Sequence, residues 1–223
     1  LLMSDASREM VSLDFSGMEL EVVPQEVLEA VYVQDLDMRH NALTELPPEL
    51  GKLTSLQILW LEHNQFSQFP EAIFELPCLR LLYLVGNQLT CLPDRIGELQ
   101  WLEGLDFMWN QLASLPPSIG DLSLLQSLDL RSNRLSTLPT EFGNLQSLKY
   151  LYLGGNHLTQ ILPAILLLEN LEFLALDENL ISAIPPELSQ LKNLQVLHLM
   201  GNPLDDAAVD FARSLLPTCE VSF

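Results

Sequence analysis

The sequence predicts an α/β solenoid, in which one short strand and one turn-rich segment repeat along the whole chain. Asparagine recurs every 23 residues without interruption, at Asn41, Asn64, Asn87, Asn110, Asn133, Asn156, Asn179 and Asn202. The first leucine of an L-x-L pair recurs on the same period, from Leu13 to Leu197. A fixed period of this length is typical of repeat proteins, in which each unit packs against its neighbours.

The first half of each repeat has the pattern of a short β-strand. In the unit spanning residues 56–78, Leu59 and Leu61 alternate with Ile58 and Trp60. Successive side chains of a strand point to opposite faces, so we expect the two leucines to point inward and the other two side chains to face outward. Strands from successive repeats then form one parallel sheet on the concave side of the coil.

The second half of each repeat predicts a 3-10 or helical turn on the convex side. After the asparagine of the same unit come Phe66 and Phe69, then Pro70, then Ile73 and Leu76 spaced three residues apart. That spacing is expected of one helical or 3-10 turn. A single coil cannot bury its own leucines and needs a neighbour above and below, so stacking nine coils creates one continuous core.

The two ends of the chain depart from the repeat. Residues 11–33 form a degenerate first repeat, with Met18 in place of the asparagine. After residue 204, an Asp pair suited to an N-cap precedes apolar residues at helical spacing, which predicts a C-terminal capping helix. We therefore predict a single domain over residues 1–223, with about nine repeats from 11 to 204 and a cap over 205–223.

The charge and cysteine content exclude several classes of function. There are 10 Lys and Arg against 30 Asp and Glu, a formal charge of -20, which disfavours nucleic acid and anionic membranes as partners. The cysteines Cys78, Cys91 and Cys219 are odd in number and far apart, unlike a disulfide framework. The N-terminal residues also lack the pattern of a signal peptide. We expect a cytoplasmic protein.

The full pattern, L-x-x-L-x-L-x-x-N-x-L-x-x-L-P-x-x-I-x-x-L, resembles the leucine-rich repeat in its 23-residue intracellular subclass. Within that subclass the chain is similar to Ras-suppressor, Ras-binding scaffold and LAP-type repeat proteins. The resemblance covers residues 11–204 and implies a curved horseshoe. It also implies that the asparagines form a ladder at the strand ends, where an amide can both donate and accept hydrogen bonds.

The outward strand positions predict two apolar clusters on the concave face. The first contains Ile58, Trp60, Leu81, Tyr83 and Val85, extended by Met108 and Trp109, and the second contains Tyr150, Tyr152, Phe173, Val196 and Met200. Large aromatic residues are over-represented at binding hot spots, so these clusters indicate a partner-binding surface. The alternative is that adjacent aromatic side chains only shield one another and stiffen the sheet.

Acidic residues lie between the clusters. Asp106 and Asp129 occupy the same position in adjacent repeats, and Arg131 follows Asp129 by two residues. Either the arginine neutralises the pair locally, or the carboxylates meet a basic surface of a partner. The candidate partner-binding residues are Ile58, Trp60, Leu81, Tyr83, Asp106, Met108, Trp109, Asp129, Arg131, Tyr150, Tyr152 and Phe173.

The sequence does not indicate an enzyme, a cofactor or a metal site. His40 and His63 stand near Glu62, but two histidines on an open face without a third oriented ligand are usually solvated. We predict a non-enzymatic scaffold or adaptor that binds a protein, for which the resemblance suggests a small GTPase or phosphatase assembly. The alternatives are an architectural subunit of a cytoskeletal or ciliary assembly, or the recognition arm of a larger enzyme.

Overall fold

The computed structural model describes residues 10–223. The prediction that the chain lacks a signal peptide concerns its first residues, which lie outside this range. Ten short strands form one parallel sheet in chain order, which confirms the predicted leucine-rich repeat solenoid. The strands are β1 Ser12–Asp14, β2 Asp35–Asp37, β3 Ile58–Trp60, β4 Leu81–Tyr83, β5 Gly104–Asp106, β6 Ser127–Asp129, β7 Tyr150–Tyr152, β8 Phe173–Ala175, β9 Val196–His198 and β10 Glu220–Ser222.

The register follows the sequence period. Leu59 pairs with Leu36 on one side and with Leu82 on the other, so equivalent residues of successive repeats lie side by side. Leu59 and Leu61 are fully buried, while Ile58 and Trp60 are half-buried on the opposite face. This confirms the predicted alternation, and it follows that the inward leucines of all rungs share one core.

The segments opposite the sheet are 3-10 helices, apart from one short α-helix. They are α1 Gln25–Glu29 and the 3-10 helices Pro48–Lys52, Glu71–Glu75, Asp94–Glu98, Pro117–Asp121, Thr140–Asn144, Ile165–Leu167 and Pro186–Gln190. Six of the 3-10 helices follow a proline with φ between -64° and -76°, because the proline ring fixes the chain in the extended state before the turn. In the seventh repeat the proline comes one residue late, at Pro163, and the 3-10 helix is shorter.

The asparagines form the ladder that the resemblance implied. The Asn110 amide Nδ2 donates to the carbonyl oxygens of Leu84 and Phe107, at 2.9 and 3.1 Å, and Asn110 Oδ1 accepts from Leu89 N at 3.0 Å. One side chain therefore satisfies backbone groups in its own repeat and in the preceding one. At the first repeat, Asn41 Oδ1 accepts from the backbone N–H of Met18, so the ladder needs no asparagine at position 18.

A second, shorter ladder joins the segments that lead into the later strands. Ser147, Asn170 and Asn193 are again 23 residues apart, and each side chain donates to a backbone carbonyl in the preceding repeat. The donor-to-acceptor distances are 2.6 to 2.8 Å. The repeat pattern did not predict this ladder, because Cys78, Trp101 and Leu124 interrupt the polar residues at this position between Ser55 and Ser147.

The C-terminal helix α2 spans Asp206–Leu215 and was predicted. Asp205 Oδ1 accepts from Ala208 N at 2.8 Å as its N-cap, and Ala212 is fully buried. After α2 the chain returns to the sheet as β10, which pairs in parallel with β9. The sequence did not predict this strand, because three residues of long-range pairing leave no periodic signal. Within residues 10–223, no helix is long and apolar enough to cross a membrane.

All three cysteines are free thiols, and their environments differ. Cys78 and Cys91 are exposed, whereas burial, followed by the nearby Glu220 charge, raises the pKa of the Cys219 thiol to about 11. The thiolate is the reactive form, so we expect Cys219 to react slowly with a thiol reagent at pH 8. Cys78 and Cys91 are exposed to the reagent and should react first. Titration without reductant should find three thiols after denaturation. If two of the three thiols were missing, a disulfide bond would be present, and the prediction of three reduced cysteines would be wrong.

Candidate partner-binding surface

The outward side chains of strands β3 to β8 form a continuous surface, which we call the sheet face. It consists of Ile58, Trp60, Leu81, Tyr83, Gly104, Asp106, Ser127, Asp129, Tyr150, Tyr152, Phe173 and Ala175. Nine of the twelve predicted binding residues lie on these strands. The other three, Met108, Trp109 and Arg131, lie just beyond the strand ends.

The first aromatic group is a tight stack on β3 and β4. The rings of Trp60 and Tyr83 are 4.1 Å apart and inclined by 5°. The Arg39 guanidinium lies 5.0 Å from the centre of the Trp60 ring, and Trp60 Nε1 donates to Asp35 Oδ1 at 2.8 Å. Burial raises the pKa of the Tyr83 hydroxyl. This group is rigid, and part of its surface is shielded internally, as the alternative interpretation expected.

The second aromatic group is looser and more exposed. The rings of Tyr152 and Phe173 are 5.0 Å apart, and the Phe173 ring meets His198 edge-on at 5.1 Å. The Arg131 guanidinium lies 5.1 Å from the centre of the Tyr152 ring. Tyr150 is 39% exposed. The predicted residues of β7 and β8 are therefore brought together, with Tyr150 as the most accessible member.

Trp109 belongs to a third group at the rim of the sheet face. Its indole is 53% exposed and lies 6.2 Å from the His63 ring, which stacks on His40 at 4.6 Å. The sequence had assigned Trp109 to the cluster around Trp60 and Tyr83. In the structure its indole lies beside His63, and the backbone at Trp109 is left-handed.

That turn repeats along the solenoid at the residue before each ladder asparagine, and it has a left-handed backbone. Positive φ occurs at His40, His63, Gly86, Trp109, Ser132, Gly155, Glu178 and Gly201. A left-handed conformation favours glycine and strains other residues, so the column takes glycine at three of these places. At Gly86 a side chain would also clash with His63, since a Cβ would lie 2.5 Å from its Nδ1. The recurring glycines were the sequence signal for this turn.

A hollow of about 450 Å³ separates the two strand-borne aromatic groups. It lies over β5 and β6, where Gly104 and Ser127 leave the sheet face almost bare. The hollow is lined by the larger side chains of Leu81, Tyr83, Tyr150 and Tyr152. Asp106, Asp129 and Arg131 line it at the C-terminal ends of β5 and β6. The hollow is a consequence of register, because it exists only where two small residues become neighbours.

Asp129 is neutralised within its own strand end. The Arg131 Nε donates to both Asp129 oxygens, at 3.0 and 2.9 Å, and Nη2 lies 2.5 Å from Oδ2. The side chain of Asp129 is buried, while that of Arg131 is 42% exposed. Asp37 and Arg39 form the same type of pair. The structure therefore supports local neutralisation for Asp129, and the prediction that this carboxylate is open to a partner is not supported.

Asp106 is different, because it has no cation of its own. Its Oδ1 accepts from Met108 N at 2.9 Å, and among the described residues no basic nitrogen lies within 4.0 Å of its carboxylate. Burial raises the pKa of Asp106 to about 6. The Met108 hydrogen bond and the Arg131 charge lower this pKa, and the nearby Asp129 charge raises it. The carboxylate is thus half-buried and ionised at neutral pH. Among residues 10–223, including Asp106 and its neighbours, no group of three or more His, Cys, Asp or Glu side chains is arranged to hold a metal ion.

Together, the parallel sheet, the ladder and the open aromatic face define a repeat protein with an extended surface. Residues 13–113 and 104–216 match the family described as leucine-rich repeat region, so the chain belongs to the leucine-rich repeat family. No curated protein sequence matches the chain.

Three solved structures illustrate the likeness. A leucine-rich repeat protein of Leptospira interrogans is 37% identical, with a TM-score of 0.91 over 96% of this chain and 54% of that protein. A plant peptide hormone receptor, RGFR1 in complex with RGF2, is 32% identical, with a TM-score of 0.68 over 82% of this chain and 30% of its own. An internalin of Listeria monocytogenes, 19% identical with a TM-score of 0.73 over 91% and 66%, shows the fold alone. The chain thus spans about half of the Leptospira protein.

Proposed function

We propose that this chain is a non-enzymatic protein-binding module and that its partner binds on the sheet face. The observation that carries the proposal is the arrangement of two aromatic groups on either side of a hollow on one rigid sheet. Large aromatic side chains held in place by stacking lose little entropy on binding, which makes them suitable anchors. Tyr150 and Trp109 keep enough exposed surface to make such contacts.

One relative supports the proposal. The plant receptor that shares 32% identity is described as a peptide hormone receptor in complex with RGF2. The present chain covers 30% of that receptor, so the likeness supports protein or peptide binding as a class and gives no partner. The acidic charge of -20 favours a partner with a basic surface.

The finer parts of the proposal come from the sequence. The resemblance to Ras-suppressor and LAP-type repeat proteins favours a small GTPase or phosphatase assembly as partner, and a role in signalling. Free, exposed thiols at Cys78 and Cys91 favour a reducing compartment such as the cytoplasm.

Two other functions use the same surface differently. In an architectural subunit of a cytoskeletal or ciliary assembly, the sheet face would be permanently covered by another subunit. In the recognition arm of a larger enzyme, the same face would hold a substrate for a catalytic domain elsewhere in the protein. The role as recognition arm of a larger enzyme is compatible with the chain's coverage of only 54% of the Leptospira protein.

The proposal is tested by affinity capture from cell extract. The wild type is compared with a double variant, Trp60→Ala with Tyr152→Ala, and with a control double variant of exposed residues off the sheet face, Trp101→Ala with Leu167→Ala. We expect one soluble protein to be captured by the wild type and the control and lost from the sheet-face variant. Recovery of a multi-subunit particle would favour the architectural role. Capture of the same partner by the sheet-face variant, with loss from the control variant, would contradict the proposal.

A further inference from the structure

We propose that the hollow over β5 and β6 is an anchoring site for an arginine side chain of the protein partner, with Asp106 as the carboxylate that receives the guanidinium. This inference rests on the proposed function, because it assigns a chemistry to one part of the sheet face. It identifies the partner as a protein segment that presents arginine.

The shape of the hollow suits a long, flat side chain. Gly104 and Ser127 provide the room, and Leu81 supplies an apolar wall against which the methylene stem of an arginine can lie. Tyr83 and Tyr152 also line the hollow, and both side chains are half-buried. Guanidinium groups stack on aromatic rings and also form forked hydrogen bonds, whereas an ammonium group does neither as well.

The charges of the hollow favour Asp106 as the acceptor. Asp129 is already paired with Arg131, so it offers little to an incoming cation. Asp106 receives only the Met108 N–H at Oδ1, which leaves Oδ2 for an external donor. A half-buried carboxylate without a cation is costly, and a partner guanidinium would remove that cost on binding.

The same groups predict the pH dependence of binding. The charged and titratable groups around Asp106 are Asp129, Arg131, Glu62 and the Tyr83 hydroxyl. With a pKa of about 6, Asp106 is ionised at pH 7.5 and about nine-tenths protonated at pH 5. Arginine binding needs the ionised form, so the apparent affinity should fall about tenfold from pH 7.5 to pH 5.

The direct test uses two short peptides and the whole chain. Acetyl-Gly-Arg-Gly-amide is titrated into the isotope-labelled protein, and acetyl-Gly-citrulline-Gly-amide serves as the uncharged match of the same shape. We expect saturable changes in the amide signals of Gly104, Asp106 and Ser127 with the arginine peptide, weakening about tenfold at pH 5. Equal binding of both peptides, or no change at these signals, would overturn the proposal.

Variants separate the carboxylate from the hollow. Asp106→Asn should abolish the preference for arginine over citrulline, whereas Asp94→Asn, which removes the same charge from an exposed position in the 3-10 helix Asp94–Glu98, should keep it. Gly104→Leu keeps the carboxylate but fills the hollow, since a Cβ there lies 2.7 Å from the flexible end of Leu81. It should lose binding even if Asp106→Asn proves poorly folded. The arginine site is wrong if Asp106→Asn still prefers the arginine peptide over the citrulline peptide. It is also wrong if Gly104→Leu still binds the arginine peptide.

The outcome is distinguishable from failure of the proposed function. If the captured partner is lost from the aromatic double variant but bound equally by wild type and Asp106→Asn, the arginine anchor is wrong and the protein-binding surface stands. If both the aromatic variant and Asp106→Asn bind the partner normally, the sheet face itself is the wrong surface.

Discussion

Replacing Asn110 with leucine is expected to lower the free energy of unfolding by about 1 to 3 kcal/mol. Asn110 is 7% exposed, and its amide satisfies Leu84 O, Phe107 O and Leu89 N. Leucine has a similar volume but offers no polar atom, so Leu89 N loses its partner. Leu84 O and Phe107 O each lose one donor but still accept from the neighbouring ladder asparagines, Asn87 and Asn133. One unsatisfied buried backbone group costs about 1 to 3 kcal/mol, so the loss of the Leu89 N partner sets the expected range.

Equilibrium unfolding in urea measures the change, and two control substitutions define its cause. Asn193→Leu makes the same chemical change at an exposed residue that donates one hydrogen bond to Glu169 O. Met18→Asn adds an asparagine at an exposed position outside the ladder. Both should change stability by less than about 1 kcal/mol. Comparable losses at Asn110 and Asn193 would show that the ladder contributes no special stability.

The repeat made most of the fold predictable. Because Leu59 and Leu82 are one period apart and both must be buried, the register of β3 against β4 has one solution. A shift by one residue would expose the leucines and bury Trp60 and Tyr83. The position of the asparagine ladder follows from the same period, since the ladder can satisfy the strand ends only in that register.

Features that depend on side-chain contacts were less predictable. The sequence placed Asp129 next to Arg131 and left open whether they pair with each other or with a partner. The choice depends on burial, because a carboxylate at 7% exposure is stable only with its forked hydrogen bonds in place. The contact between the Trp109 indole and His63 was not predicted, because it depends on the left-handed backbone at Trp109.

The hollow illustrates a signal that was present in the sequence and was overlooked. Gly104 and Ser127 are one period apart, so the sequence alone makes them neighbours on β5 and β6. The predicted binding surface rested on the large residues of the face and took no account of the small ones. Asp106 was also distinguishable in the sequence, because Met108 stands where Arg39 and Arg131 follow Asp37 and Asp129 by two residues. Its raised pKa could not be predicted, because it comes mainly from burial.

The sheet-face aromatic residues should separate binding from stability. Once the partner is captured, we expect Trp60→Ala and Tyr152→Ala each to weaken its binding by more than about tenfold. Their rings are half-buried and packed mainly on other sheet-face side chains, such as Tyr83 and Phe173, so their truncation removes little of the leucine core. The melting temperature should therefore fall by only a few degrees, about the change produced by 1 kcal/mol.

The matched control is Trp101→Ala, an indole that is 60% exposed and lies beside Cys78 and Arg80, off the sheet face. Trp101→Ala removes a tryptophan side chain, as Trp60→Ala does. It should leave both the dissociation constant of the partner and the melting temperature nearly unchanged. Titration calorimetry and thermal melts on the three variants give the comparison. If Trp60→Ala and Tyr152→Ala bind normally while Leu167→Ala, on the convex 3-10 helix Ile165–Leu167, abolishes binding, then the functional surface is the convex side. The aromatic groups would then serve to stiffen the sheet, as cross-strand pairs do.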